Sequence, residues 1–563
     1  MPPNPDAPQG ARSALRGRIV TMDAAGTVLD DGVVYLDGTT IAAVQPATAS
    51  PPDGFDEVAV VPTRGTVYPG LIELHNHLPY DVLPLWQVPR AFTNRSQWGG
   101  ISDYHRLVTG PMTVLGEDPQ LMPAVVRYVE AKALVNGTTT SQGIALFSNT
   151  GSRRMYRGVV RNVEQTGDPD LPQALSRISD VEATEAAKFL DRLRKPHRLL
   201  LHLAEGIDDA ARAHFQALEI EPGQWAITDN LVGIHCTALS ADDFQVLADH
   251  GGSMVWSPLS NLLLYGKTAD IAAAKAAGVR IGLGSDWSVS GSKGLLGELK
   301  AAQLASQAAG SVFSDRELVA MATCDAAAIL RWDQRLGSLQ PGHYADLLVV
   351  AEADGDPYTR LVDARDTEIA LVVIAGTARY GTTRLMKALA SEADIEDAGP
   401  GVPADRALNL HDEAGDPLVA GLTLAEATDR LTRALQDLPR PSARRARRAR
   451  RAGTSESNGD WRLALDEIQP TGAELRPRLP LPGTEGEPSG PTPPPRGFAV
   501  RTRDLAAVVL DRLTAARDAV FLKRLGAEID LPEHYRTALV ALLSKAHAHP
   551  HDPHAARPKG RKS

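Results

Sequence analysis

Between residues 71 and 308 the chain alternates short apolar runs with stretches of helical periodicity. The strand candidates are 71–77, 137–144, 157–164, 174–178, 197–203, 231–236, 252–257 and 279–285; the fourth rests mainly on spacing. Helical patterns fall at 121–135, 181–194, 208–218, 241–250, 270–277 and 295–308. Strands that alternate with helices point to a parallel sheet, because each parallel return needs a crossover. Eight such strands suggest an α/β protein built on a (β/α)8 TIM-type barrel, placed over 67–336. That architecture takes ~250 residues and carries its chemistry at the C-terminal ends of its strands.

The polar residues at those ends are therefore the ones to read. A Pro69-Gly70 turn feeds the first run, which ends His75-Asn76-His77. Positions i and i+2 of a strand share a face, so the two imidazoles would point the same way, as a divalent metal such as zinc requires. Strand five ends His202-Leu203-Ala204-Glu205, strand six Gly233-Ile234-His235-Cys236, and strand eight Gly284-Ser285-Asp286-Trp287. From His75 to His202 is 127 residues over four units, from His202 to His235 33 over one, and from His235 to Asp286 51 over two. A βαβ unit takes roughly 30 residues, so these positions fall on one rim. Three histidines and a carboxylate suit a catalytic zinc or ferrous ion. Each residue has a plainer reading: an interior histidine, a turn-closing aspartate, an exposed loop glutamate. Five of them meeting on one rim favours a site.

Pro69–His77, Gly137-Thr138-Thr139-Thr140, His202–Glu205, His235, Ser257-Pro258-Leu259-Ser260-Asn261-Leu262, Gly284–Asp286 and Pro341–Leu347 together resemble the metal-dependent amidohydrolase superfamily. The branch most resembled is that of the cytosine, guanine and adenosine-type deaminases and triazine chlorohydrolases, and the resemblance covers roughly 15–385. It implies that His75, His77, His202 and Asp286 bind one divalent metal ion, zinc in the first place and iron as the alternative. It implies that Glu205 is the proton shuttle, and that His235 sits over the reacting atoms. Binuclear relatives use a strand-four lysine; Thr166–Asp180 contains none, which implies a mononuclear site. The reaction implied is attack of metal-bound hydroxide on an sp2 carbon of a small molecule, with Asp286 accepting the water's proton. A non-peptide C–N bond breaks, by deamination or amide hydrolysis.

The loop after strand one is long, Leu78 to about Pro119, and carries Tyr80, Trp86, Phe92 and Trp98 with Arg90 and Arg95. Aromatic rings could stack on a flat substrate and an arginine could pair a carboxylate; a packed lid is the alternative. Asn261 and Trp287 would border the pocket on the resemblance. Asp286-Trp287-Ser288 lacks the glycine usual after this aspartate in the deaminases, which weighs against purines and pyrimidines.

Short apolar runs at 18–22, 32–36 and 40–44 match others at 345–350 and 369–374, which suggests a small β-sandwich assembled from 15–66 and 337–385. Residues 386–563 read as an extension, mostly helical and partly disordered, and dispensable for chemistry. It has an acidic stretch (Glu392–Asp416), an amphipathic helix (Leu422–Leu438), a basic run (Arg444–Arg451) and a Pro/Gly-rich linker (Glu485–Gly497). Leu505, Val508, Val509, Leu513, Ala516 and Val520 recur at helical spacing, continued by Tyr535–Leu543. His547, His549, His551 and His554 form a loose tail.

A net charge of −10 argues against a general nucleic-acid binder. Two cysteines, Cys236 and Cys324, leave no disulfide framework. Neither a secretory leader nor an apolar run near the ~20 residues of a membrane span is apparent. The expectation is a cytoplasmic enzyme with a small-molecule substrate, no nucleic-acid or membrane partner, and possible homo-oligomers. The rival is a non-catalytic barrel kept for binding, with the extension as its interaction module.

Overall fold

The structure is a computed structural model, and it describes residues 12–148, 152–177, 186–351, 354–438, 461–465 and 505–544. Strands Arg12–Val20, Val28–Asp37, Thr40–Pro46 and Val60–Pro69 join Leu347–Ala351, Ile369–Ile374 and Thr377–Thr382 in one continuous nine-stranded sheet. The two flanks of the chain meet where Val60–Pro69 runs antiparallel to Leu347–Ala351, Pro69 opposite Leu347. Arg406–Leu408 and Glu396–Asp397 extend the sheet at one edge. One face buries Leu15, Val34, Val67, Leu347 and Leu371 with Leu385 and Met386 of helix Thr383–Leu389.

Pro69-Gly70 hands the chain from this sheet directly to the next unit. A Cβ at Gly70 would sit 2.3 Å from Thr139 Oγ1, so glycine is what fits against the Thr139 side chain. Eight of the strands that follow are parallel: β1 Leu71–Ile72, β2 Thr138–Ser141, β3 Arg161–Asn162, β4 Leu175–Arg177, β5 Leu199–Leu203, β6 Leu231–His235, β7 Ser253–Trp256 and β8 Arg280–Leu283. β1-β2-β3 form one parallel sheet and β4 to β8 another. Between them the Ala174 amide donates to Val163 O (2.7 Å) and the Leu74 amide to Leu283 O (3.1 Å). Crossover helices include Met122–Val135, Asp209–Gln216, Ala241–Asp249, Ile271–Ala277 and Leu295–Ala308. Three of these starts are set by side-chain caps: Asp208, Ser240 with its reciprocal partner Asp243, and Asp270. Below the site, Ile72, Leu74, Leu200, Val232, Ile234 and Val255 pack with Trp332.

Two expectations change. The first strand ends at Ile72, not His77; the Glu73 amide still donates to Thr140 O (2.8 Å), but beyond it Leu74 and His77 bond to the β8 side. The helix expected from Leu505 begins only at Ala519. Residues 505–518 run as irregular chain, with the Val508 amide on Leu435 O (3.1 Å) and the Asp511 amide on Val82 O (3.0 Å). The helical spacing misleads there, since Val509 is 61% exposed while Asp511 is buried. Helices Leu424–Gln436 and Glu533–Ser544 lie where the periodicity put them. Trp461–Leu463 pairs antiparallel with Ala145–Ser148. The basic run, the Pro/Gly-rich linker and the histidine tail lie outside the described residues. Among the described residues no helix is long and apolar enough to cross a membrane.

Candidate metal centre

His202 follows from simple alternation, two residues beyond the buried Leu200 of β5. His235 and Asp286 do not. Both hold left-handed backbone, φ +69° and +67°, as do Ala204 (+50°) and Cys236 (+52°). Non-glycine residues in this region cost ~1–3 kcal/mol each, and such outliers gather at functional sites. Here they turn the chain sharply at the strand ends and aim His235 and Asp286 at His75.

The donor atoms of His75, His202, His235 and Asp286 lie within 4.8 Å of one another, all four side chains buried. His77 Nε2 is 3.4 Å from Asp286 Oδ1, and its ring stacks 5.5 Å from that of His202. The cluster is braced from behind. Gln142 Oε1 accepts from the Asn76 amide (3.1 Å), so it also accepts from His75 Nδ1 (2.9 Å). That fixes the His75 proton on Nδ1 and turns the Nε2 lone pair inward. His75 Nε2 lies 2.9 Å from Asp286 Oδ1 and makes no hydrogen bond. Burial lowers His75 and His202 below the ordinary imidazole range, although Asp286 beside His75 works the other way. A neutral imidazole would thus set its lone pair against a carboxylate oxygen, an arrangement that calls for a cation between them. The residues fit a divalent metal.

Other contacts set roles around the centre. Ser260 Oγ donates to Asp286 Oδ2 (2.7 Å). Asn261 Oδ1 stands 3.3 Å from His235 Nδ1, and Asn261 Nδ2 donates to Thr237. Asn261, expected at the pocket edge, is fully buried and spends its amide on holding the His235 ring. Asn76 Nδ2 reaches Glu73, Asp81 and Ser285. Glu205 Oε1 accepts from Tyr265 OH (2.7 Å); its Oε2 is 3.9 Å from His235 Nε2 and 3.8 Å from Arg95 Nη1.

The long loop divides in two. Tyr80 and Trp98 converge on Trp287, with ring centroids 5.1 and 6.1 Å from it, and Trp287 lies 5.3 Å from His77. Trp86 instead donates to Asp103 (3.0 Å) and packs against Tyr104 and Phe92, as a lid residue would. Arg90 lies over Phe92. Sequence reasoning missed Gln142, Ser260, Tyr265 and Asp81. Gln142 stood just past strand two and Ser260 inside the matched Ser257–Leu262 run; no local pattern marked Tyr265.

Parallel strands, crossover helices and a rim-borne His/Asp cluster define an α/β protein of TIM-barrel-like kind. Residues 181–379 match the amidohydrolase family profile. Among curated proteins, the 5-methylthioadenosine/S-adenosylhomocysteine deaminase of Symbiobacterium thermophilum is 23% identical over 389 residues, covering 59% of this chain and 84% of its own. The enzyme of that name from Teredinibacter turnerae is 29% identical over 322 residues, covering 51% and 72%. Among solved structures, a triazine hydrolase variant superposes with a TM-score of 0.52 at 20% identity. The zinc complex of atrazine chlorohydrolase from Arthrobacter aurescens TC1 gives 0.50 at 20%. Each covers 75% of this chain and 99% of its own, and that likeness is one of fold.

Proposed function

We propose that this chain is a metal-dependent hydrolase that deaminates a small ring-bearing molecule. The observation that carries the reading is the buried His75/His202/His235/Asp286 cluster with Glu205 beside it. His75, His202 and Asp286 would hold one divalent ion, with His77 as the fourth ligand. His235 is left for the substrate because its Nε2 faces Glu205. When bound, the ion would lower the pKa of a coordinated water towards ~7. Asp286, anchored through Oδ2 by Ser260, keeps Oδ1 towards the imidazoles to accept a proton from water. Glu205 passes a proton to the departing nitrogen. His235 steadies charge developing on the attacking oxygen. Water's oxygen bonds to the ring carbon, one of its protons ends on the ring nitrogen and the other on the amino group, the C–N bond breaks, and ammonia leaves.

Trp287, Tyr80 and Trp98 offer flat faces beside His77, which favours a ring substrate. The names of the curated relatives make thioether adenosines the first compounds to try, against the weight of Trp287 after the metal aspartate. The same reading closes β1–β8 into one barrel over 67–336, carried by the Leu74–Leu283 and Ala174–Val163 bonds. It takes 15–66 with 337–385 as the second unit.

The test is metal analysis and ammonia release together. We expect one zinc or iron per chain, lost in His77→Ala and kept in the inactive His235→Asn. Two metals per chain, or metal lost only in His235→Asn, would overturn the ligand assignment. Full metal with no ammonia from 5-methylthioadenosine, S-adenosylhomocysteine or other aminated rings would overturn deamination.

A further inference from the structure

Glu205 has two carboxylate oxygens in unlike surroundings, and the difference is set from outside the metal cluster. Tyr265 is the last residue of helix Pro258–Tyr265, ended by Gly266 at φ +66°. Its ring is buried and its hydroxyl lies between two partners. Trp98 Nε1 donates to that hydroxyl (3.2 Å), and the hydroxyl donates to Glu205 Oε1 (2.7 Å). An indole N–H can only donate, so the phenol oxygen is the acceptor there and its single proton must go to Glu205. Oε1 is thereby held as an acceptor. Oε2 is buried and, among the described residues, has no hydrogen-bond partner, while His235 Nε2 lies 3.9 Å away.

We propose that Tyr265 is a positioning residue that reserves Glu205 Oε2 for proton transfer, and that Trp98 sets the direction of the Tyr265 proton. The proposal rests on the reading of Glu205 as the proton shuttle. The transferable proton arrives on Oε2 from water and leaves from Oε2 to the departing nitrogen. Without the Tyr265 hydroxyl the carboxyl can take its proton on Oε1, turned away from the reacting atoms. The loop that carries Trp98 is pinned where this needs it. Asn94 bridges to Gly206, the Arg95 amide donates to Glu205 O (3.3 Å), and Thr93 and Asn94 bond Asp208. The seating of that loop and the aim of the shuttle are one arrangement.

Tyr265→Phe removes one oxygen and keeps the ring. In the metal-loaded enzyme we expect kcat to fall ~10–100-fold, the loss that fits one hydrogen bond to a charged group. KM should change less than about threefold and metal content should not change, because the proton moves only on the way through the transition state. Trp98→Phe should lower kcat the same way by less, again with KM and metal content unchanged, and it carries the test if Tyr265→Phe does not fold. Glu205→Gln separates the two levels. If it keeps near-normal kcat, the shuttle reading itself fails. If it is inactive while the Tyr265 variant, or the Trp98 variant in its place, keeps the parent's kcat, the positioning role alone is refuted.

Discussion

Ser260 and Glu298 show how single buried groups carry the site. Ser260 Oγ is bound to Asp286 Oδ2, a partner of the kind that orients a metal-ligating carboxylate. Ser260→Ala should therefore lower metal affinity ~10–100-fold, read by competition with a chelator, while the fold persists. Unchanged affinity would remove Ser260 from the support of the site. Glu298, fully buried on helix Leu295–Ala308, accepts from the Leu259 amide (2.9 Å). Burial raises its carboxyl from 4.5 to about 8. A folded pKa above the unfolded one means the proton is held more tightly in the folded state. That stabilisation is complete below the unfolded pKa and is lost as pH rises through about 8. Glu298→Gln keeps the acceptor for Leu259 and cannot titrate, so its stability should vary less with pH across that window. Denaturant midpoints that run parallel for the two proteins would show that Glu298 does not carry this dependence.

At the scale of elements, the strands and crossovers were legible because a parallel sheet writes itself as apolar runs at βαβ spacing. Even 174–178, placed by spacing, contains β4. His202 was legible for the same reason, since alternation alone turns it inward. His235 and Asp286 were found from where they stood at the strand ends, while their left-handed backbone had no local signal. Tyr265 and Asn261 were opaque because their partners are distant in the chain: Glu205 is 60 residues from Tyr265 and His235 is 26 from Asn261. The join between sheet and barrel yields a prediction at this scale. Gly70→Ala would drive its Cβ into Thr139, 2.3 Å from Oγ1 and 2.5 Å from Cγ2. Overpacking of this kind costs ~1–3 kcal/mol. Thr139→Ala in the same chain removes both atoms and should return part of the loss; no recovery would place the strain elsewhere.

For the whole molecule, buried contacts count against the expectation that residues beyond 385 are dispensable for chemistry. Lys132 Nζ donates to Asp511 Oδ2 (2.6 Å) and to Asp81 O (2.7 Å). Lys293 Nζ donates to Asp511 Oδ1 (2.9 Å) and Asp518 Oδ2 (2.8 Å), and all of these side chains are buried. Asp81 in turn bonds Asn76, between His75 and His77, and the Ser288 amide (2.7 Å). Removing one partner of a buried ion pair costs ~3–5 kcal/mol, because the other charge stays behind. Asp511→Asn should destabilise the protein by that order. Truncation after 438 should give an insoluble or metal-poor barrel, and a soluble, fully metal-loaded fragment would show that Lys132 and Lys293 find other partners.

The Asp511 clamp also sets a clock on biosynthesis. Lys293 precedes Asp511 by 218 residues. At ~5–20 residues per second, the ribosome needs roughly 10–40 s to span that interval. Throughout it the eight parallel strands are already made while Lys132 and Lys293 lack their counter-charge. Nascent chains arrested before residue 511 should remain open to protease, and chains arrested far enough beyond it for the segment to clear the exit tunnel should not.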